Sequence, residues 1–274
     1  MTGRKIETGS PLVLCEVSSH VATITLNNPE KRNAMSGNMT DALSELFLAL
    51  DLDPEVRVLI LTGTADAFCA GGDVSSMGGA LAGGAAPDTD AMIRRLRHAQ
   101  ETVGLRLYNF GKPTIAALPG AAAGAGMSLA LACDLRVMAD SAFLLPAFGA
   151  IGLSGDFGGT WLLSQLVGPS RAKEIYFTNR RIGAEDALAL GLANRIVADS
   201  DLQQTAETLA AEIAGFAPMA LRYMKENHNR ARATDLQASM EMEADRMIRT
   251  LQSADHAEGA RAFMEKRKPI FTGR

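Results

Sequence analysis

Two glycine-rich turns, at residues 68–73 and 119–126, have the composition best suited to chemistry in this chain. Each follows a short apolar run that predicts a buried strand, at residues 57–62 and 114–118. Small residues leave backbone N–H groups open to a ligand. Two such groups directed at one point would form an oxyanion hole, which stabilises negative charge on a carbonyl oxygen. Taken alone, either turn is more often explained by tight packing of a helix against a strand.

The length and charge of the chain restrict the class of protein. A chain of 274 residues, 47% of them hydrophobic, can bury a sizeable core as one large domain or as one domain with an appendage. The formal net charge of −4 gives no reason to expect binding to nucleic acid or to a membrane surface. Two basic clusters, one at Lys31 and Arg32 and one at residues 266–268, could contact a phosphate-bearing ligand or could form solvated faces.

The positions of cysteine and histidine argue against a disulfide framework and a metal site. Cys15, Cys69 and Cys133 are widely spaced and odd in number, and the four histidines are scattered. The N-terminus has no apolar stretch behind its first charges, so we expect no signal peptide and a cytoplasmic protein. The uncharged run 113–133 is long enough to cross a bilayer. Because a Pro-Gly pair interrupts it, a strand, a turn and a buried helix explain it better.

The spacing of apolar residues predicts an α/β protein built from repeated strand–strand–helix units. From about residue 201 onward only helices are predicted, which divides the chain into a core over residues 1–200 and a helical region over residues 201–274. A segment rich in Gly and Ala, residues 75–90, is predicted to be a loop. The predicted strands are 13–17, 21–26, 57–62, 114–118 and 134–139, and the predicted helices are 40–50, 91–108, 124–132, 202–216, 218–229, 236–252 and 254–265.

Seven short segments carry a family resemblance over nearly the whole chain: residues 28–35, 66–68, 112–117, 133–136, 152–160, 184–197 and 263–267. In this order they resemble the crotonase family, also called the enoyl-CoA hydratase/isomerase family. The resemblance implies a crotonase-like spiral of ββα units with a C-terminal helical trimerisation region, in which trimers often pair into hexamers. It also implies an acyl-CoA thioester substrate. CoA would be part of that substrate, with no metal or redox cofactor.

The resemblance further implies which residues contact the thioester. It places the two oxyanion-hole donors on the backbone N–H groups of Gly72 and Ala125. For Ala125 the physical argument agrees, because free N–H groups and the helix dipole at the start of the predicted helix 124–132 favour an anion. Asp73 could instead cap a turn. The residues expected to contact CoA are Lys31, Arg32, Ala34, Ala70, Asp73 and Val74.

The acid/base residues, rather than the oxyanion hole, decide the reaction. Hydratases of the family carry two glutamates, at positions that correspond here to Ser128 and Phe148, so both carboxylates are missing. Asp156 matches the position where several isomerases and one dehalogenase branch of the family carry an essential aspartate. Nearby Phe157, Trp161 and Phe148 predict apolar surroundings, which would raise the pKa of Asp156 and make it a better proton shuttle. Alternatively, Asp156 caps the predicted helix 157–166.

We expect double-bond isomerisation with Asp156 as acid and base, and four alternatives remain open. They are hydration with Asp156 orienting water, a dehalogenase-like reaction with Asp156 as nucleophile, a catalytically weak acyl-CoA binder, and a dinucleotide-binding oxidoreductase. The last is disfavoured by the glycine spacing at residues 120–126. Other side chains have structural explanations: Ser128 packs inside its helix, and Asp134 and Arg136 form a polar pair. His98 and Glu101 could approach the pocket, which residues 75–90, Met127, Phe148 and Phe157 would shape.

Overall fold

The computed structural model describes residues 3–73 and 88–274. The strands are β1 (Arg4–Ile6), β2 (Val13–Ser18), β3 (Val21–Leu26), β4 (Val58–Gly63), β5 (Ala67–Cys69), β6 (Thr114–Leu118), β7 (Ala121–Ala123), β8 (Leu135–Ala139), β9 (Phe143–Leu145), β10 (Ile182–Gly183) and β11 (Arg195–Val197). The α-helices of the first part of the chain are α1 (Met39–Leu52), α2 (Thr89–Ala99), α3 (Arg106–Tyr108), α4 (Ala125–Ala132), α5 (Gly159–Val167), α6 (Pro169–Thr178) and α7 (Ala184–Ala189). A π-helix, Gln100–Leu105, joins α2 to α3, and the last helices are α8 (Leu202–Ala214), α9 (Pro218–Ala231), α10 (Leu236–Leu251) and α11 (Ala254–Met264).

The strands form two sheets. The larger has the order β1-β2-β3-β4-β6-β8-β11 and is parallel from β3 to β11. The smaller has the order β10-β9-β7-β5, with β5, β7 and β9 parallel. Consecutive strands therefore alternate between the sheets: β4, β6 and β8 enter the larger sheet, and β5, β7 and β9 enter the smaller one. This alternation confirms the predicted ββα units and the α/β class.

The small sheet is where the sequence prediction was incomplete. Strand β5 consists of the residue before the first predicted glycine turn and the first two residues of that turn. Strand β7 lies within the second turn. Each is only three residues long, and β7 consists of alanine alone, so neither has the alternation of apolar and polar residues that marks a strand. Pairing between β5 and β7 joins the two turns in one sheet, which places them side by side.

Helix α4 lies at the centre of the core, and all eight of its residues are buried. The uncharged run 113–133 thus forms β6, β7 and α4, as expected, and among the described residues no helix is long and apolar enough to span a bilayer. Helix α8 packs across β4, β6 and β8 with a buried face of Leu202, Ala206, Leu209, Ala210 and Ala214. The division of the chain near residue 200 into two domains stays a prediction.

Candidate active site

The two glycine turns can pack closely against each other because glycine has no side chain. Backbone atoms of the neighbouring segment occupy the space that a side chain would need. A Cβ atom on Gly120 would lie 1.8 Å from the carbonyl oxygen of Asp66, and one on Gly126 would lie 2.1 Å from the carbonyl oxygen of Cys69. Tight packing, the ordinary explanation for such turns, is therefore correct here. The same packing brings the first turn to the N-terminus of α4, since a Cβ atom on Gly71 would lie 3.3 Å from the backbone nitrogen of Ala125.

Gly72 forms an isolated parallel bridge with Met35. Met35 donates its N–H to the oxygen of Gly71 at 2.7 Å and accepts from the N–H of Asp73 at 3.2 Å. In a parallel bridge, two such bonds flank one residue, here Gly72. The N–H of that residue points away from its bridge partner, here Met35. The N–H of Gly72 is therefore not used by Met35 and points away from it.

The backbone N–H of Ala125 belongs to the first turn of α4. The helix begins after Gly124, and its first intrahelical bond runs from the N–H of Ser128 to the oxygen of Gly124 at 3.1 Å. The N–H groups before Ser128 have no acceptor within the helix. With the positive end of the helix dipole behind them, they form a favourable place for an oxyanion.

A loop that follows β3 packs beside the first turn and carries three of the predicted CoA contacts, Lys31, Arg32 and Ala34. The 3₁₀-helix Pro29–Lys31 leads into Arg32, whose oxygen accepts from the N–H of Ala70 at 2.9 Å. Lys31 is half-exposed and forms an ion pair with Asp73, Nζ to Oδ2 at 2.7 Å. Arg32 is exposed, Ala34 is buried, and Val74 lies outside the described residues. The cationic side chains of Lys31 and Arg32 thus lie beside the first turn, where they could contact a phosphate-bearing ligand, and Asp73 pairs with Lys31.

Sequence reasoning missed the residue that holds this loop in place. Asn33 is fully buried, has a left-handed φ of 57°, and donates from Nδ2 to the carbonyl oxygens of Thr64 and Ala67 at 2.9 and 2.7 Å. These bonds attach the loop to both ends of the turn that joins β4 to β5. The sequence does contain one signal for this role. An asparagine follows two charged residues, and asparagine tolerates the left-handed φ that a tight turn needs.

Asp156 occupies an unusual turn before α5. Three of the residues 155–158 have positive φ: Gly155 at 120°, Phe157 at 47° and Gly158 at 74°. The residue that precedes the first turn of α5 is Gly158, so the alternative that Asp156 caps the helix is wrong. Positive φ at a bulky residue such as Phe157 is uncommon and is maintained only by its surroundings.

The π-helix supplies part of those surroundings. Gly104, in its last turn, faces the buried ring of Phe157, and a Cβ atom on Gly104 would lie 3.2 Å from Cδ1 of that ring. π-Helical turns are frequent at functional sites. Here the turn brings a glycine against Phe157 and so helps to hold the neighbouring Asp156 in position.

The side chain of Asp156 is partly buried. Its Oδ1 atom is inaccessible and has no hydrogen-bond partner among the described residues. Burial raises the pKa of Asp156 from its usual value of 3.8 to about 6, because an apolar environment disfavours the charged form. A carboxyl group with a pKa near 6 can both accept and return a proton near neutral pH.

Ser128 and Phe148, which stand at the two positions without glutamate, make different contacts. Ser128 is fully buried, and its Oγ donates to the oxygen of Gly124 at 3.3 Å and to the oxygen of Asp156 at 3.1 Å. It therefore links the start of α4 to the Asp156 turn, which agrees with the predicted structural role. Phe148 is buried and stacks on Tyr176, with ring centroids 6.3 Å apart.

The structure corrects the prediction of an Asp134–Arg136 pair and shows the surroundings of Trp161. Asp134 forms an ion pair with Lys225 at 2.8 Å, whereas Arg136 donates to the backbone oxygens of Leu192 and Cys133, so the predicted Asp134–Arg136 pair is wrong. Trp161 is half-exposed and packs its ring edge-on against Tyr108.

His98 and Glu101 are exposed, and Met127 is buried. The predicted pocket loop falls almost entirely on residues 74–87, outside the described residues. Within residues 3–73 and 88–274, no group of three or more His, Cys, Asp or Glu side chains has the geometry of a metal site.

Comparison with known proteins identifies the family. The family model described as enoyl-CoA hydratase/isomerase matches residues 16–274. The chain is 36% identical over 262 residues to the 1,2-epoxyphenylacetyl-CoA isomerase of Escherichia coli K12, covering 96% of this chain and 98% of that protein. It is 34% identical over 259 residues to the short-chain-enoyl-CoA hydratase of Clostridium acetobutylicum, covering 93% and 95%.

Solved structures agree with this assignment. An enoyl-CoA hydratase from Polaromonas sp. JS666 superposes with a TM-score of 0.87 at 34% identity, over 94% of this chain and 99% of that one. One from Bacillus anthracis gives 0.87 at 31% identity, over 96% and 100%. The fold is therefore the crotonase fold, and the chain belongs to the enoyl-CoA hydratase/isomerase family. This membership replaces the dinucleotide-binding alternative.

Proposed function

We propose that the protein is an acyl-CoA isomerase that moves a double bond along the acyl chain, with Asp156 as its single acid/base residue. The observation that carries the proposal is the Oδ1 atom of Asp156, buried without a hydrogen-bond partner among the described residues. Ser128 connects the backbone oxygen of this residue to the start of α4, which supports one site formed by Asp156 and Ala125. No carboxylate stands at the positions of Ser128 and Phe148, where family hydratases carry their glutamates.

The reaction follows from these groups. The carboxylate of Asp156 removes a proton from the carbon chain, and the electron pair of the broken C–H bond moves into the thioester as an enolate. The N–H groups of Gly72 and Ala125 stabilise the negative charge on the thioester oxygen. Asp156 then returns the proton to a different carbon, and the double bond ends in a new position. One carboxyl group performs both transfers, and the proposal requires no metal or redox cofactor.

The remaining parts of the proposal concern binding and assembly. CoA enters as part of the substrate, contacted by Lys31, Arg32, Ala34, Ala70 and Asp73, with Val74 next along the chain. We also propose a homotrimer, or a hexamer of paired trimers. Large exposed apolar side chains on the last helices support this assembly, because such surfaces usually mark contacts between proteins. They are Met224, Leu236, Met240, Met247, Ile248, Leu251, Phe263 and Met264. The cytoplasmic location stays a prediction.

A second candidate is hydration of a 2-enoyl-CoA. The name of the Clostridium acetobutylicum relative favours it, just as the name of the Escherichia coli relative favours isomerisation. In this alternative Asp156 orients a water molecule toward the double bond, but the missing second carboxylate leaves no obvious group to protonate the neighbouring carbon. The dehalogenase-like reaction and the weak acyl-CoA binder also remain as predictions from the sequence.

The test compares wild type with Asp156→Asn on a 3-enoyl-CoA and a 2-enoyl-CoA, following the absorbance of the conjugated thioester. Asp140→Asn is the matched control, since Asp140 is exposed and lies outside the site. The proposal predicts gain of conjugation from the 3-enoyl substrate, retained in Asp140→Asn and abolished in Asp156→Asn. If only the 2-enoyl substrate reacts, and its conjugation is lost, the reaction would be hydration instead. An unchanged rate in Asp156→Asn would contradict both reactions as written.

A further inference from the structure

A cavity of about 510 Å³ lies away from the candidate active site, between the C-terminal end of α4, the start of β8 and helices α5 and α9. Ala132, the last residue of α4, lines it, whereas Ala125 stands at the other end of that helix, about 10 Å away along the axis. The described residues Gly72, Ala125 and Asp156 do not line it. The proposed isomerase mechanism therefore leaves this cavity without a role.

The charged groups around the cavity are mostly cationic. Its lining includes three cationic side chains and one carboxylate: Arg136, Lys225, Arg232 and Asp134. The carboxylate is already engaged, because its Oδ2 atom accepts from Nζ of Lys225 at 2.8 Å and from the N–H and hydroxyl of Thr114 at 2.8 and 3.0 Å. Arg136 and Arg232 form no ion pair with any of the described residues.

Arg136 is only 4% exposed, and the protein does not use all of its guanidinium group. Its Nε atom donates to the oxygen of Leu192 at 2.6 Å, and its Nη1 atom donates to the oxygen of Cys133 at 2.7 Å. The Nη2 atom makes no hydrogen bond to the described residues, and it is not one of the side-chain atoms that those residues bury completely. Since an unpaired donor on a buried charge is costly, this nitrogen marks a place for an acceptor.

Arg232 brings a second guanidinium group to the cavity from the C-terminal end of α9. Its Cζ atom lies 5.7 Å from the ring centre of Trp161. Burial lowers the pKa of Arg136, and the charge of Arg232 adds to this effect, as expected for two like charges that lie near each other. His228, one turn earlier on α9, also lines the cavity. Neighbouring guanidinium groups without a carboxylate are suited to bind an anion.

The remainder of the lining is mainly apolar and shows what else the anion carries. Six aliphatic side chains contribute to it: Leu131, Leu135, Leu162, Leu166, Ile213 and Leu221. An inorganic ion would leave this surface uncovered, whereas the hydrocarbon part of an organic anion would cover it.

We propose that this cavity is a binding site for a small organic carboxylate, whose charged group pairs with Arg136 and Arg232 and whose apolar part lies against the leucines. All the groups that form the site belong to one chain, so a free molecule can occupy it without a partner subunit. The inference concerns a site separate from the acyl-CoA site and does not depend on the isomerase reaction.

The test measures binding by calorimetry with three probes. Hexanoate carries both the charge and the chain, hexanamide carries the chain alone, and inorganic phosphate carries charge alone. The variant is Arg232→Gln, and the matched control is Arg230→Gln, an exposed arginine on the same helix outside the cavity. We expect wild type to bind hexanoate roughly tenfold or more tightly than either other probe. Arg232→Gln should bind it roughly ten- to a hundredfold less tightly, as loss of a hydrogen bond to a charged group predicts. Arg230→Gln should behave as wild type.

Each other outcome overturns the inference in a recognisable way. Equal affinity for hexanoate and hexanamide would mean that the guanidinium groups do not contact the ligand. Equal affinity for phosphate would mean that the apolar lining does not contribute. Displacement of hexanoate by butyryl-CoA would place it in the acyl-CoA site instead.

Sedimentation and unfolding measurements complete the test. If hexanoate does not bind and Arg232→Gln has a lower mass in solution than wild type, the cavity receives an acidic side chain from a second copy of the chain, and the inference is wrong. If hexanoate does not bind and the mass is unchanged, the inference is wrong as well. The unfolding midpoint of Arg232→Gln, expected to match that of wild type, shows that weaker binding does not come from unfolding.

Discussion

The paired glycine turns and the Asp156 turn both depend on glycine, but for different physical reasons. In the paired turns, Gly120 and Gly126 are required because backbone from the neighbouring segment occupies the space of a side chain. In the Asp156 turn, Gly155 and Gly158 have positive φ, and a Cβ atom on either would meet its nearest neighbour only at ordinary contact distance. Gly120 and Gly126 are thus required by space, whereas Gly155 and Gly158 are required by backbone conformation.

This difference corresponds to two kinds of chemical group. An oxyanion hole made of backbone N–H groups needs dense, fixed packing, and the paired turns provide it without leaving a buried side chain unsatisfied. An acid/base residue needs a carboxyl group that is not already paired, and the Asp156 turn holds one at a cost to stability. We infer that the first region binds any thioester of the right shape, whereas the second region selects the reaction.

Filling the space between the paired turns should have the largest effect on stability. Gly126→Ala places a Cβ atom 2.1 Å from a backbone oxygen that cannot move without disturbing β5. We expect it to destabilise the protein by about 3 kcal/mol or more. The measurement is the midpoint of chemical unfolding. Gly183→Ala is the control, since nothing lies within 4 Å of its Cβ position; equal stability of the two variants would contradict the packing argument.

Removing one backbone donor tests the chemical role of the same region. Ala125→Pro deletes the N–H at the first position of α4, where proline is tolerated in helices. We expect turnover to fall about 10²- to 10³-fold, the usual cost of one oxyanion-hole donor. Circular dichroism and the unfolding midpoint establish that the variant is folded. Folded Ala125→Pro with full turnover would show that this N–H does not contact the thioester.

Activity and stability should both depend on pH through Asp156. Since the pKa of Asp156 is raised to about 6, kcat/KM should fall about tenfold for each pH unit below 6 as the base is protonated. Stability should change in the opposite direction. The folded protein binds more protons than the unfolded chain between the usual pKa of 3.8 and the raised value, so Asp156 makes unfolding easier as the pH rises from about 4 to 6.

Asp156→Asn provides the control for this pH dependence, because it carries no titrating group at the position. The difference in unfolding free energy between wild type and Asp156→Asn should grow in favour of the variant between pH 4 and 6. A difference that is independent of pH would mean that burial of the Asp156 carboxyl group does not change its pKa.

The smallest effect is expected at the surface beside the first turn. Lys31→Ala removes an ion pair with Asp73 in which the lysine is half-exposed, and such pairs contribute about 0–1 kcal/mol. If Lys31 contacts a phosphate of CoA, KM should rise a few-fold with kcat unchanged, and the increase should shrink at high salt. Lys5→Ala, at an exposed position in β1, should leave KM unchanged. A rise that salt does not affect would exclude an electrostatic contact.

The sequence was most informative where a long apolar pattern or a glycine motif was present. Strand β3 and strand β6 have the predicted limits, and the helix predicted at residues 91–108 is a continuous helical run from Thr89 to Tyr108. The π-turn inside that run was not predictable, since its spacing of apolar residues does not differ enough from that of an α-helix. The short strands of the small sheet were missed because three residues show no period.

The candidate site was partly predictable for similar reasons. The family resemblance pointed to Gly72, Ala125 and Asp156, and the aromatic residues near Asp156 predicted that burial would raise its pKa. Tyr176 lies some twenty positions further along the chain, in a helix with no motif of its own. Only the packing of α6 against Phe148 and Gly159 brings its hydroxyl near the Asp156 turn. A contact made by tertiary packing leaves no local signal in a single sequence.

The most direct test of Asp156 as the acid/base residue measures turnover and stability of Asp156→Asn on the same sample. If the turn holds an unpaired carboxyl group for catalysis, the amide should reduce isomerisation of a 3-enoyl-CoA by about 10²- to 10⁴-fold. The midpoint of unfolding at pH 7 should stay the same or rise, because a buried charge has been removed. Full turnover, or a lower midpoint with normal turnover, would contradict the account and make Asp156 a structural residue.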